Sequence, residues 1–220
     1  MRQLPIRNTK VHGLYERSFS NDKMVRPRDQ QKREAIVEAT IKLVSEVGFV
    51  DASVAKIAKV ANVSPATIYV YYKNKEDLLI SIFVEIHGQK ASAAMEGFDE
   101  SSPLKEMFRK IWDNSFKFIA EKRDRMQYHA QFLNSPYSDL VSDTKASDIL
   151  RPFLAALECG AREKVIKSVD ENILVSVMFS AIPVLSGAMP AISGSTSEKI
   201  DAMQKNIETA FEMAWDAIKL

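Results

Sequence analysis

Apolar residues recur every three or four positions along most of the chain, with polar residues between them. This is the period of amphipathic helices. From about Asp29 to Val47, Ile36, Thr40, Leu43 and Val47 share one face, with Ala39 beside them. Gly48 is placed to end that helix, because glycine takes the left-handed conformation at little cost, and Phe49 supplies the apolar contact that follows such an ending. Ser53 caps a short helix whose inward stripe is Val54, Ile57, Ala58 and Ala61. A tight turn leads to a second short helix. Asn74 then opens a longer one, carried by Leu78, Leu79, Ile82, Phe83 and Ile86 towards Met95.

Gly97 to Ser102 interrupts the pattern, and Ser102-Pro103 reads as a cap followed by a first-turn proline. Leu104, Phe108, Ile111, Ser115 and Ile119 mark the next helix, and about Asp124 to Leu133 a further one. After a turn at Asn134 to Tyr137, the segment from Asp143 to Glu158 points Leu150, Phe153, Leu154 and Leu157 inward. Ser168 is placed to cap a long helix containing Ile173, Val177, Ala181 and Leu185. Pro152 and Pro183 fall inside these last two segments, so each should be kinked or split. The final helix sets Ile200, Met203, Ile207, Ala210, Phe211, Ala214 and Ile218 on one broad stripe. No alternating strand pattern and no repeat interrupts this. The expected fold is all-α, divided into an N-terminal extension (1–24), a three-helix helix-turn-helix domain (25–74) and a C-terminal helical bundle (75–220).

Charge separates the same parts. Residues 1–75 carry 14 Lys and Arg against 7 Asp and Glu, and residues 76–220 carry 16 against 22. A basic N-terminal third beside an acidic remainder points to a polyanion as partner of the first part only. Arg26, Arg28, Lys32 and Arg33 form a basic lead-in, read equally well as a solvated helix start or as an arm to DNA. Met24 is a candidate second start, because the organised sequence begins just after it. Cys159 is the only cysteine, so no intrachain disulfide is possible. The three histidines are scattered, so no metal centre is expected. No apolar run reaches membrane-spanning length and no secretory leader opens the chain, so no membrane partner and a cytoplasmic location are expected. Gly-rich phosphate loops, nucleophile motifs and cofactor signatures are missing, which leaves a helical enzyme as a remote alternative and implies no catalytic residue and no cofactor.

The chemistry lies between residues 52 and 78. Asn62 tolerates the positive φ that the turn between two crossing helices requires. Val63 plugs the turn from below, Ser64 caps the next helix, and Pro65 suits its first position. Ile68 and Tyr72, four apart, anchor that helix, which leaves Ala66, Thr67, Tyr69, Val70 and Tyr71 on or near its outward side. The helix N-terminus favours a phosphate, the Thr67 and Tyr69 hydroxyls can bond phosphate or base edges, and Ala66 and Val70 can touch a thymine methyl. Lys75 opposes the dipole of the helix it opens, which makes better sense beside a phosphate.

These residues resemble the DNA-binding domain of the TetR family of bacterial transcriptional regulators. The resemblance is carried by Gly48-Phe49, Ala52-Ser53-Val54, Ile57-Ala58, Val63-Ser64, Thr67-Ile68-Tyr69, Tyr72 and Lys75-Glu76-Asp77-Leu78. Asn62 and Ala66 depart from it, standing where the family often has glycine. The resemblance implies a homodimeric repressor that reads a palindromic operator in double-stranded DNA. Ser53, Ser64, Thr67, Tyr69, Tyr71 and Lys75 match DNA-touching positions, with Pro65 and Ala66 between them. It implies dimerisation through the last two helices, about 169–190 and 196–218, and release by a small molecule held in the C-terminal domain. Candidate pocket residues are Trp112, Phe116, Met126, His129, Phe132, Phe153 and Met178, from a wider set with Tyr128, Tyr137 and Met189; His129, Gln131 and Asn134 supply polar groups for a largely apolar effector. For any one of them, ordinary core packing is the commoner role. A regulator of the same fold without a small-molecule effector, controlled by a protein partner, is the alternative.

Overall fold

The computed structural model describes residues 27–141, 145–187 and 197–220. The extension 1–24, Arg26 and Met189 lie outside them. The helices are α1 (Pro27–Asp51), α2 (Val54–Val60), α3 (Pro65–Tyr71), α4 (Lys75–Ala94), α5 (Leu104–Glu121), α6 (Arg123–Leu133), α7 (Lys145–Arg162), α8 (Glu171–Phe179), α9 (Ala181–Gly187) and α10 (Ser197–Ile218). Among the described residues the remaining regular structure is a 3-10 turn at Ser138–Leu140 and one antiparallel bridge from Ile166 to Lys219. The fold is all-α: an N-terminal helix-turn-helix head carried on a helical body.

Local chemistry sets most boundaries. Gly48 has φ 76° and ψ 172°, so the first helical run breaks there as expected, and a short second run to Asp51 continues at a sharp bend. The bend drives Phe49 into the core and turns Val47, expected on the inward stripe, out to 41% exposure. Ser53 and Ser64 cap α2 and α3 by accepting from the Lys56 and Thr67 backbone N–H groups. Asn62 takes φ 54° in the turn between them. Asn74 caps α4, accepting from the Asp77 N–H at 2.7 Å, while the Asp77 carboxylate accepts from the Lys73 N–H at 2.8 Å.

Three expected starts and breaks shift. Asp99, not Ser102, organises the turn before α5, accepting from the Ser101 N–H and from the Ser101 and Ser102 hydroxyls; Pro103 itself is the cap residue. Asp170 rather than Ser168 caps α8 through the Asn172 N–H. α7 runs unbroken through Pro152, which forgoes a single bond to the Asp148 carbonyl. Pro183 does split its helix. It has no N–H for the Phe179 carbonyl and its ring crowds that oxygen, so α8 stops at Phe179 and α9 resumes at Ala181.

Two apolar cores result. One gathers Ile36, Val37, Ile41, Val44, Phe49, Ile57 and Ile68 with Leu78, Leu79, Ile82, Phe83 and Ile86 of α4 and Tyr128 and Phe132 of α6. The other gathers Phe108, Ile111, Trp112, Phe116, Phe153, Leu157, Met178, Phe211 and Trp215 in the body. The first core thus runs across residues 74–75, since the head is closed from below by α4 and α6.

The conformation at Gly48 is one that only glycine adopts without strain. Gly48→Ala should cost about 1–3 kcal/mol in chemical denaturation. An unchanged denaturation midpoint would mean that the bend carries no such constraint.

Candidate functional site

The outward side of α3 presents Ser64, Pro65, Ala66, Tyr69 and Val70, all exposed. Tyr69 is 53% and Val70 78% exposed, while Ile68 at 1% and Tyr72 at 5% hold the helix down. Thr67 is half-buried, and its hydroxyl lies 2.9 Å from the Ser64 hydroxyl. Uncharged side chains with hydroxyl, methyl and aromatic groups therefore stand clear of the surface. The exposed lysines Lys56, Lys59 and Lys73 flank them. Composition showed a basic excess, but only the folded head shows which lysines border α3.

Three other candidates are already engaged within the protein. The Tyr71 hydroxyl donates to the Asp29 carbonyl at 3.2 Å, so Tyr71 ties α3 to α1 rather than pointing freely outward. Lys75 donates from Nζ to the Val50 carbonyl at 3.0 Å, which bridges the start of α4 to the end of α1 and leaves two further N–H groups. Ser53 is half-buried as the α2 cap. Arg33, from the basic lead-in, pairs with Glu85 of α4 at 2.7 Å beside the Tyr72 phenol, whose ionisation burial pushes up to about 12. Arg33 therefore fastens α1 to α4.

The body holds a cavity of about 640 Å³, walled by α4, α5, α6, α7, α8 and α9. Ala91, Ala94, Ile111, Ile119, Leu154, Val175, Phe179 and Ile182 make most of its surface apolar. Its polar groups concentrate on α4 and α6: His87, Lys90, Arg123, Gln127 and His129. His87 Nδ1 and His129 Nε2 are 2.9 Å apart, and the rings stack with centroids separated by 5.2 Å. Burial, with Lys90 next, pushes both imidazoles down, His129 to about 3, so the pair is neutral near pH 7. Burial also pulls the Lys90 ammonium below its ordinary value.

Of the expected pocket residues, Met126, His129 and Phe153 line this cavity. Trp112, Phe116, Phe132 and Met178 do not. Each is at most 5% exposed and fills a core, Phe132 under the head and the other three within the body. His87 and Lys90 were missed as cavity residues. The available signal was a lysine and a histidine on the α4 stripe that otherwise carries Phe83, Ile86, Ala91 and Ala94.

The wall of the cavity is also the floor of the head. On α6, Met126, His129, Ala130 and Leu133 face the cavity. Arg125 on the same helix pairs with Glu34 at 2.8 Å and with Glu38, both on α1. The Tyr128 hydroxyl donates to the Leu79 carbonyl of α4 at 2.8 Å. Phe132 stacks on Phe83 at 4.2 Å and meets Phe49 edge-on at 5.8 Å.

A helix-turn-helix on a cavity-bearing helical body defines a class of DNA-binding regulators, and the chain's relatives agree. The profile described as "Bacterial regulatory proteins, tetR family" matches residues 36–82, and "Tetracyclin repressor-like, C-terminal domain" matches residues 103–219. The chain is 34% identical over 136 residues to the fatty acid metabolism regulator protein of Bacillus subtilis, covering 62% of this chain and 67% of that one. It is 27% identical over 189 residues to an uncharacterised HTH-type transcriptional regulator of Haemophilus influenzae, covering 84% and 95%. The crystal structure of a TetR family transcription regulator from Marinobacter aquaeolei VT8 superposes with a TM-score of 0.74 at 33% identity, covering 89% and 99%. The chain belongs to the TetR family of transcriptional regulators. It is a DNA-binding regulator and not an enzyme. Among the described residues no helix is long and apolar enough to cross a membrane.

The neutral histidine pair gives stability a pH dependence of known sign. An unfolded histidine titrates near 6.5, but His129 in the fold is held down to about 3, so the unfolded chain takes up the proton first. The stabilisation is full above about pH 6.5 and is lost as pH falls from there towards 3. Between pH 6 and 4.5 the wild type should lose stability more steeply than His129→Phe, by about 1.4 kcal/mol per pH unit. Parallel denaturation profiles for the two proteins would overturn this.

Proposed function

We propose that the chain is a homodimeric repressor that reads a palindromic operator with α3 and leaves it when a small, largely apolar effector fills the body cavity. Ser53, Ser64, Pro65, Ala66, Thr67, Tyr69, Tyr71 and Lys75 form the contact surface in this reading. Ser64 to Tyr69 serve the bases and the first turn of α3, Ser53 and Lys75 serve the flanking phosphates, and Tyr71, its hydroxyl given to the Asp29 carbonyl, holds α3 against α1 at the edge of that surface. Acting on chromosomal DNA, such a regulator works in the cytoplasm.

One observation carries the effector half of this reading: α6 faces the cavity with one side and grips α1, α4 and Phe49 with the other. A molecule that prefers a displaced α6 therefore also prefers a displaced head. A solid body core would have favoured a regulator without a small-molecule effector. A cavity of about 640 Å³ favours one with it. The similarity to a fatty acid metabolism regulator agrees with an apolar effector class.

Dimerisation through α8–α9 and α10 is supported by apolar side chains facing outward there: Ile173 at 56%, Val177 at 38% and Val184 at 73% exposure, with Ile200 on α10 at 39%. Ala214 is unsuitable as an interface probe, since it is 8% exposed within the body's own core.

Selection of operators from random duplexes tests the reading as a whole, and a palindrome is the expected product. On that operator, Tyr69→Ala should weaken binding about tenfold or more. Lys75→Ala should make the log–log salt dependence shallower by about 0.9. Gel shifts with unchanged affinity and slope would remove both contacts. Ile173→Glu combined with Val177→Glu should sediment as a monomer with helical circular dichroism retained. A persisting dimer would move the interface elsewhere.

A further inference from the structure

We propose that the effector is an anionic amphiphile, its acidic head seated by Lys90 and the His87–His129 pair and its apolar tail lying among Ile111, Phe153 and Ile182. This rests on the reading of the cavity as the effector site and adds the sign and seat of the ligand's charge. The wall is electrostatically one-sided. Among the described residues lining it, the charged ones are Lys90 and Arg123, and no Asp or Glu is among them. Glu85, on α4 one turn before the Lys90 segment, is already held by Arg33 and Gln89. Among the described residues Lys90 has neither an ion pair nor a hydrogen bond, and it is half-buried. A cation drawn out of water without a counter-charge is costly, and a ligand anion removes that cost. A cationic ligand would add to it.

The histidines supply the second half of the seat. Neutral imidazoles bonded Nδ1 to Nε2 share one proton between them, so whichever tautomers form, the pair keeps one N–H not used within it. An ammonium and one imidazole N–H together suit the two oxygens of a carboxylate. The opposite wall, from α5, α7 and α8–α9, is largely aliphatic and suits a hydrocarbon tail. The head group would thus engage α4 and α6, the helices that carry the reading head, while the tail fills space against the rest of the body.

Dodecanoate, dodecanol and dodecyltrimethylammonium, each below its micellar concentration, share one tail and differ in charge. Calorimetric titration of the full chain should show dodecanoate binding at least about tenfold tighter than the other two. Lys90→Met should remove that preference while dodecanol affinity stays within about twofold, and Lys90→Arg should retain it. If Lys90→Met fails to fold, Lys90→Gln takes its place, and the head-group series on the wild type decides independently. Equal affinity for acid and alcohol, tighter binding of the cation, or a preference that survives Lys90→Met would overturn the inference. The effector reading would still stand if the bound compound releases the operator in a gel shift. Tight dodecanoate binding with no effect on the operator would leave the seat assigned and overturn the effector reading. Failure of all three compounds to bind would overturn both.

Discussion

α6 is only 11 residues long, yet it is buried against the DNA-reading head on one side and the body on the other. The position of α3 depends on it, because α1 rests on α6 and α3 is anchored to α1 and α4. Magnitudes separate its contacts. Full burial of Tyr128 and Phe132 contributes roughly 1.5–3 kcal/mol each. The Arg125 pairs with Glu34 and Glu38 involve carboxylates that are more than half exposed, so each adds at most about 1 kcal/mol. Apolar packing holds the head on, and the ion pairs fix its register along α1. The Tyr128–Leu79 hydrogen bond is different in kind: it is buried, and breaking it would leave a phenol without a partner in the core.

The same helix explains how a small change in the body can reach the surface of α3. His129 stacks on Phe83 at 4.9 Å, Phe83 on Phe132 at 4.2 Å, and Phe132 meets Phe49 at 5.8 Å. Phe49 follows the Gly48 bend and sits four residues before Ser53, the α2 cap. Rings at van der Waals separation cannot absorb a displacement of one member, so they move together or repack. Such a device needs a ligand that prefers the displaced arrangement, and a hundredfold shift in operator occupancy needs about 2.7 kcal/mol of that preference. A salt-linked head group that pulls on α4 and α6 together is one chemically economical source of it.

The head was legible in the sequence because its determinants are local. Ser53, Asn62, Ser64, Pro65 and Asn74 each act within four residues of themselves, and all take the caps or turn geometry that their chemistry prefers. The cavity was not legible in that way. Periodicity assigns Phe108, Ile111, Phe153 and Leu157 to inward faces, and they are inward, but it does not say whether an inward face meets another helix, as for Phe108 and Leu157, or a void, as for Ile111 and Phe153. That depends on helix spacing, and hence on the turns after α4 and α6 and on the break before Pro183. At Gly48 the expected positive φ and helix break are present, and what the sequence did not show is that the chain returns at once to helix for Phe49 to Asp51.

The basic excess of the first 75 residues also reads differently once folded. Arg33 is committed to Glu85, and Lys75 and Lys56 each donate a hydrogen bond to a backbone carbonyl, of Val50 and Asp51. The outward face of α3 carries no charge at all between Ser64 and Tyr71. Positive charge lies around that face, at Lys56, Lys59, Lys73 and Lys75, rather than on it. In the proposed reading, phosphate attraction and base reading fall to different residues: the lysines would supply the salt-dependent affinity, and the small and aromatic groups of α3 the part that depends on sequence. A shift of the head by α6 would lift both from the groove together, since all of them ride on the short α2–α3 unit or on its junctions with α1 and α4.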